Sequence, residues 1–339
     1  MIRLRVSRGK MMRKIFAVLG LPGSLAWFFF STAPAFTANI NVVWTSEVGQ
    51  FAPLWVTKEA KLFEKYGNNV QLIFIQGASS AAAALSSGDA HVGMFSPQVV
   101  ISTPQLDLVM FGRLGNTMDN RVYARKGIKS IKEVKRVAIS RFGSNADFAA
   151  RYLLQREGLR PDIDVALLQV GNQSNRIAAV ETNNADAAML TPPMTLMARK
   201  LGMTLLLDAS KLNIPYSSLF FVSRRSYLAK TRPELVNFTK AMIEGVAIYK
   251  SNKEFAMKVL SKYMKVQDRE VLEENFREYD FPLKPSPSRE YFELPIQEVG
   301  KKDPKVLKEN PERYVDMSLV KELEDNGFID KLTREYRVR

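Results

Sequence analysis

Two stretches of this chain repeat one another at a constant offset of 95 residues, without a gap, and that constrains the fold more than any other feature of the sequence. VQLIFIQGASSAAAALSSGDAHVGMFSP, from Val70, aligns with VALLQVGNQSNRIAAVETNNADAAMLTP, from Val165. Val70/Val165, Leu72/Leu167, Ser79/Ser174, Ala83/Ala178, Ala84/Ala179, Ala90/Ala185, Met94/Met189 and Pro97/Pro192 are identical. Eight identities in 28 positions stand against about two from chance, and mismatches such as Ser96/Thr191 and Leu85/Val180 are conservative. A chain of 339 residues is near the practical limit of one hydrophobic core, so the repeat is read as two similar lobes.

Short β-rich runs alternate with helical patterns after Asn39, which predicts parallel sheets covered by helices. In the first series Val42 to Thr45, Val70 to Gln76 and Val92 to Phe95 read as strands, and Leu54 to Tyr66 and Ser79 to Ser87 as helices. In the second, Val137 to Ser140, Val165 to Val170 and Ala187 to Leu190 read as strands, and Ala146 to Glu157 and Ser174 to Glu181 as helices. The segment Asn120 to Lys126 is expected to cross to the second lobe, and Leu219 to Ser223 to follow the return. The remainder reads as mostly helical and is assigned to the first lobe. Within it, Thr231 with Glu234 and Ser251 with Glu254 have capping-box spacing. The expected class is therefore α/β, with two lobes joined by hinge strands: 36–120 with 218–339, and 121–217.

The first residues read as an export leader. Six cations, Arg3, Arg5, Arg8, Lys10, Arg13 and Lys14, precede an apolar run from Ile15 to Phe30, broken by Gly20, Pro22 and Gly23. That run falls short of the roughly 20 residues needed to cross a bilayer, which favours a cleaved signal over residues 1–35 against a retained anchor. Cleavage after Ala35 fits the A-x-A pattern through Ala33. The mature chain is then expected in the periplasm. The formal charge of +14 falls to +8 once those six cations are removed, a balance suited to an anionic ligand or surface.

The chain has no cysteine and a single histidine, His91, which closes thiol, disulfide and iron–sulfur chemistry and leaves few routes to a metal. No cofactor or metal is expected, and no Walker loop, dinucleotide fingerprint or aromatic–basic interleaving for nucleic acid is present. His91 falls at the amino end of a strand and reads as a structural hydrogen-bonding residue.

In open α/β sheets, ligands bind beyond the carboxyl ends of the strands. This points to Trp44, Thr45, Ser46, Gln50 and Phe51 after the first strand, Gly77, Ser79 and Ser80 at the next helix start, and Ser96 after the third strand. Their counterparts on the other lobe are Ser140, Arg141, Phe142, Ser144, Asn145, Asn172, Gln173, Ser174 and Thr191. Helix N-termini offer unpaired N–H groups to an anion, and Gly143 permits close approach at the loop 140–145. Ser79, Ser174 and Asn145 are equally readable as ordinary helix caps. Trp44, Trp55 and Phe142 are readable as aromatic walls of the pocket or as core residues. Arg141 is readable as a direct anion contact or as a rim residue.

The stretches PLWVTKEAKLFEKYG, the repeat from Val70, IKEVKRVAISRFGSNADFAARYLLQREGL and RYVDMSLVKELEDNGFIDKL together resemble the periplasmic solute-binding proteins of type II fold. The resemblance is to the family that binds alkanesulfonates, taurine, nitrate and thiamine-pyrimidine precursors. It covers nearly all of the mature chain and specifies the ligand poorly. That family often carries an acid at the position of His91, and its fold-related pyrimidine synthases use a cysteine-rich loop and a histidine, whereas this chain lacks every such cysteine. The resemblance implies a monomer that captures a small anionic or heteroaromatic organic solute between closing lobes and delivers it to the membrane permease of an ABC importer. A fold-related enzyme, such as a pyrimidine or menaquinone-precursor synthase, and a periplasmic ligand sensor are the alternatives.

Overall fold

The computed structural model describes residues Ala38–Val338. The leader read over 1–35 lies outside the described residues. Within them the chain builds two five-stranded sheets.

The first sheet takes β1 (Ala38–Trp44), β2 (Asn68–Phe74), β3 (Val92–Phe95), β4 (Leu108–Arg113) and β10 (Phe220–Arg224). The second takes β5 (Arg121–Ala124), β6 (Arg136–Ile139), β7 (Ala166–Gln169), β8 (Ala187–Leu190) and β9 (Thr204–Asp208). Their strand orders are β2-β1-β3-β10-β4 and β7-β6-β8-β5-β9, so the two topologies coincide. In each sheet four strands run the same way, and the fourth position is an antiparallel strand that follows a crossing from the other sheet. The chain leaves the first sheet between β4 and β5 and returns between β9 and β10, and the crossings touch through an antiparallel bridge of Thr117 with Pro215.

The 95-residue offset holds beyond the aligned stretch. Shifting β3 by 95 gives β8, and shifting β4 gives 203–208 against the observed Thr204–Asp208 of β9. Both faces of each sheet are covered, which requires strands that are apolar on both sides. Ile40, Val42 and Trp44 enter one core cluster while Val43 enters another, and in the second sheet Ala187 and Met189 face away from Ala188 and Leu190.

The helices of the first series are α1 (Ala52–Glu59), α2 (Leu62–Lys65), α3 (Ala78–Ser87) and α4 (Pro97–Ser102); those of the second are α5 (Asn145–Arg156), α6 (Gln173–Glu181) and α7 (Met194–Lys200). The tail carries α8 (Arg225–Lys230), α9 (Arg232–Ser251), α10 (Lys253–Met264), α11 (Arg269–Glu278), α12 (Glu293–Lys302), α13 (Ser318–Asp325) and α14 (Phe328–Tyr336). Most of the buried tail side chains share core clusters with the first sheet, while Leu294 packs against the second. Gly245 lets α9 cross α1 closely, since a Cβ there would lie 1.8 Å from Thr57 Oγ1.

Three local expectations are corrected. The helix expected from Leu54 to Tyr66 is broken at Lys61, which is left-handed at φ 55°. The break turns Leu62 and Phe63 into the core, where the Phe63 ring stacks on Phe238 at 5.4 Å. Thr231 caps α9 by position only, because its hydroxyl donates to Tyr227 O at 2.8 Å instead of accepting from the helix. Ser251 ends α9, and Asn252 caps α10 by accepting from Phe255 N at 3.1 Å. A complete capping box occurs instead at Ser130 with Glu133.

Candidate functional site

The carboxyl ends of the parallel strands carry most of the candidate residues. Trp44 ends β1, and Gly77, at φ 94°, is the N-cap of α3 beyond β2. Ser96 caps α4 after β3. On the other lobe Ser140 follows β6, Asn172 caps α6 beyond β7, and Thr191 follows β8.

Arg141 and Gly77 come from different lobes and approach each other: a Cβ on Gly77 would lie 3.9 Å from Arg141 Nη1. A Cβ at that distance would make ordinary contact, so it is the φ of 94° that favours glycine at this position. Thr45, Ser46 and Ser140 are half-buried, Ser79, Ser80 and Ser174 are exposed, and Ser174 Oγ lies 3.9 Å from Met194 Sδ.

The loop 140–145 spends much of its polarity within its own lobe. Phe142 N donates to Gln169 Oε1 at 2.8 Å, and Gly143 N donates to Asp147 Oδ2 at 2.8 Å. Ser144 caps α5 by accepting from Asp147 N at 3.3 Å, and its hydroxyl lies 2.7 Å from that of Ser140. Asp147 thus fills at Gly143 the position an anion would take. Asn172 similarly caps α6 through Asn175 N at 2.8 Å, while Gln173 brackets Thr191, accepting from its N–H at 2.7 Å and donating to its hydroxyl at 3.1 Å.

The aromatic candidates separate by burial. Trp44 is 7% exposed and Phe51 2%, and both belong to a ring cluster with Trp55, Phe74 and Tyr263. Phe142 is 53% exposed and Phe74 47%, so these two offer ring surface to solvent. His91 lies before β3, where Nδ1 accepts from Asn41 N at 3.0 Å and the ring stacks on Tyr227 at 4.8 Å. Burial, and then Arg224, holds its pKa below the ordinary value.

A polar network runs between the lobes, and of its members the strand-end rule identifies Gln50 and Asn145 alone. Gln98 Nε2 donates to Tyr216 Oη at 3.1 Å, Tyr216 donates to Asn145 Oδ1, and Asn145 Nδ2 donates to Asn120 Oδ1 at 3.2 Å. Beside it Ser218 Oγ donates to Gln50 Oε1 at 3.2 Å, and Gln50 Nε2 donates to Asp119 Oδ2. Tyr279 donates to Pro192 O at 3.0 Å. Burial pushes the Asp119 carboxyl above its ordinary value, against hydrogen bonds from Gln50, the backbone and Tyr279 and the charge of Arg121. Burial also pushes the Tyr279 phenol up, with Asp119 adding to the shift. Asp119, Asn120, Tyr216 and Ser218 lie on the crossings and Tyr279 in the tail, so no strand-helix pattern marks them.

A second set of contacts joins α11 to the second lobe. Glu270, Glu274 and Glu278 recur every fourth residue, on one face of the helix. Glu270 pairs with Lys200 at 2.7 Å, Glu274 with Arg199 and with Thr195 Oγ1 at 3.0 Å, and Glu278 with Arg121 at 2.6 Å. Beneath the second lobe's face Arg176 is 7% exposed and donates to Met189 O. Burial pulls its guanidinium down to about 10.

A groove of 390 Å³ lined by Ser79, Ala82, Ala83, Ser86, Val99 and Leu106, among others, lies against α3 and α4 and shares only Ser79 with the candidate residues. Among the described residues no His, Asp or Glu grouping suits a metal ion, and no helix is long and apolar enough to cross a membrane.

Solved structures share this architecture at low sequence identity. The alkanesulfonate-binding protein SsuA from Xanthomonas axonopodis pv. citri, bound to MOPS, aligns with a TM-score of 0.69 and 15% identity over 82% of this chain and 98% of that one. The periplasmic aliphatic sulphonate-binding protein SsuA from Escherichia coli aligns at 0.67 and 18%, over 79% and 94%. The periplasmic nitrate-binding protein NrtA from Synechocystis PCC 6803 aligns at 0.64 and 16%, over 88% of each. These likenesses are of fold: two like lobes, as the repeat led one to expect, in the periplasmic-binding-protein architecture that the resemblance implied. Among curated proteins, none matches this chain in sequence. The family model described as NMT1/THI5 like matches residues 48–256, which take in every strand of the two sheets but β1 and more than half of the sequence, and the chain belongs to that family.

Proposed function

We propose that this protein is the extracytoplasmic solute-binding component of an ABC importer, which captures one small organic solute between its two lobes and presents it to a membrane permease. The lobes are taken as 36–120 with 218–339, and 121–217, following an export leader over 1–35 that leaves the mature chain in the periplasm. Capture, with no covalent step on the solute, is the chemistry proposed. The observation that carries the reading is the convergence of strand ends from two like lobes: Gly77 meets Arg141, and Gln98 reaches Asn145 through Tyr216. The sulfonate- and nitrate-binding neighbours support this role.

An anionic or heteroaromatic solute suits the residues at hand. Arg141 supplies a cation at the rim, Arg176 a buried one with no carboxylate in ion-pair range among the described residues, and Phe142 an exposed ring. Thr45, Ser46, Ser79, Ser80, Ser96, Asn172, Ser174 and Thr191 are assigned as the surrounding polar wall. Native mass spectrometry of the processed protein, released from the periplasm without denaturant, tests the reading. One small non-covalent adduct per chain is expected. A chain that carries no adduct and gains none from periplasmic extract contradicts it.

A further inference from the structure

We propose that His91 is an acid-sensitive switch in the first lobe: its neutral ring supplies the acceptor that pairs β1 with the start of β3, and protonation of the ring withdraws it. The switch is a property of that lobe alone and holds whichever solute is captured.

The 95-residue offset equates His91 with Asp186 and Asn41 with Arg136, and the structure keeps both equivalences. His91 N donates to Asn41 O at 2.9 Å, and Asp186 N donates to Arg136 O at 2.9 Å. In return Asn41 N donates to His91 Nδ1 at 3.0 Å, where Arg136 N donates to Asp186 Oδ2 at 2.9 Å. The cation of the neighbouring antiparallel strand is repeated as well. Phe221 of β10 lies opposite Met94 and Val122 of β5 opposite Met189, so Arg224 corresponds to Arg125, three residues on in each case. Arg125 stands 3.8 Å from the Asp186 carboxylate, whereas the charge of Arg224 acts on an imidazole.

One joint is thus closed by two acceptors of opposite response to acid. Burial opposes the Asp186 charge, but Arg136 and the backbone N–H of Lys135 hold its pKa below the ordinary value, so it stays an ionised acceptor as the medium acidifies. An imidazole accepts at Nδ1 only while neutral, and its protonated form turns a second N–H toward that of Asn41. The groups around the ring do not rescue the cation. Arg224, at the end of β10, repels a second positive charge. Tyr227 of α8, a phenol kept neutral by burial and stacked at 4.8 Å, offers a protonated ring cation–π attraction but no acceptor for Nδ1. The Asp89 carboxylate, two residues before the ring, accepts from Ser87 Oγ at 2.6 Å. Burial and Arg224 hold the folded-state pKa of His91 below the ordinary 6.5. The contribution of this joint to stability is therefore complete above 6.5 and is lost as pH falls from there through the folded-state value.

The test uses the processed protein without a histidine tag, so that His91 is the sole imidazole. Nitrogen-15 NMR is expected to show the Nε2–H tautomer at neutral pH and titration below 6.5. Melting temperatures of wild type, His91→Asp and His91→Asn are compared between about pH 8 and pH 5. Both variants keep a side-chain acceptor that does not titrate in that range, and their melting temperatures relative to wild type should each climb by roughly 2 °C or more as pH falls. Asp119 titrates alike in all three and cancels in the difference. Hydrogen exchange, corrected for its intrinsic pH dependence, should show protection at Asn41 falling in acid in the wild type while that at Arg136 holds. An Nδ1–H tautomer, a ring that titrates at or above 6.5, or a flat melting difference for the folded variants overturns the proposal. If neither variant folds, the tautomer, titration and exchange of the wild type decide it.

Discussion

Asp119 shows at the residue scale how a hinge position acquires chemistry. Burial raises its folded-state pKa above the ordinary value of 3.8, so the folded chain holds the proton more tightly than the unfolded one. Its contribution to stability is therefore fullest below about 3.8 and declines as pH rises through the folded-state value. Asp119→Asn lacks that titration. Its melting temperature minus that of wild type should climb between acid and neutral pH, and a flat difference across that range contradicts the burial argument. Strand-end logic placed Gly77, Ser96, Asn145 and Thr191 beyond strand ends, where the structure has them, because each follows a strand whose apolar run is legible. It did not point to Asp119, Tyr216 and Tyr279, since these lie on crossings or in the tail and meet the strand-end residues only through tertiary folding. Trp44 and Phe51 were legible as aromatic, but only packing shows that the cluster around Trp55 absorbs both.

At the scale of elements, α11 is a strut between lobes. It sits beside α10, which is packed into the first core, yet its acidic face meets Lys200, Arg199 and Arg121 of the second lobe. Glu274 is 3% exposed and Thr195 is fully buried, so this pair is shielded from the screening that weakens surface ion pairs. Removing the carboxylate leaves the Thr195 hydroxyl without its acceptor, and Glu274→Ala should loosen the strut. Small-angle scattering of the solute-free variant is then expected to give a larger radius of gyration than wild type, and an unchanged radius means that α11 does not hold the lobes. The spacing of Glu270, Glu274 and Glu278 was visible in the sequence, but their partners, about 70 to 157 residues away, were not. Helix ends were less legible than helices. Nothing in the run from Ala60 to Tyr66 marks the left-handed Lys61, which burial of Phe63 imposes, and Asn252 displaced Ser251 as the cap because α9 runs one residue further than the spacing suggested.

At the scale of the whole molecule the repeat was the most legible feature, because a parallel sheet buried on both faces writes its strands as apolar runs and the second sheet repeats them in register. The exchange of β5 and β10 between sheets was foreshadowed only by strand-like runs at the crossings. Two crossings joined by the bridge of Thr117 with Pro215, and by Tyr216 N donating to Asn116 O at 3.3 Å, make a connection suited to hinge motion between lobes that each have their own core. A solute shifts such an equilibrium only through contacts made better in one state, here contacts to both lobes at once. The decisive measurement is small-angle scattering of the processed protein stripped of its co-purified solute and then resupplied with it. The account predicts a smaller radius of gyration at saturation than in the stripped state, whereas saturable binding with an unchanged radius would contradict closure of the lobes around the solute.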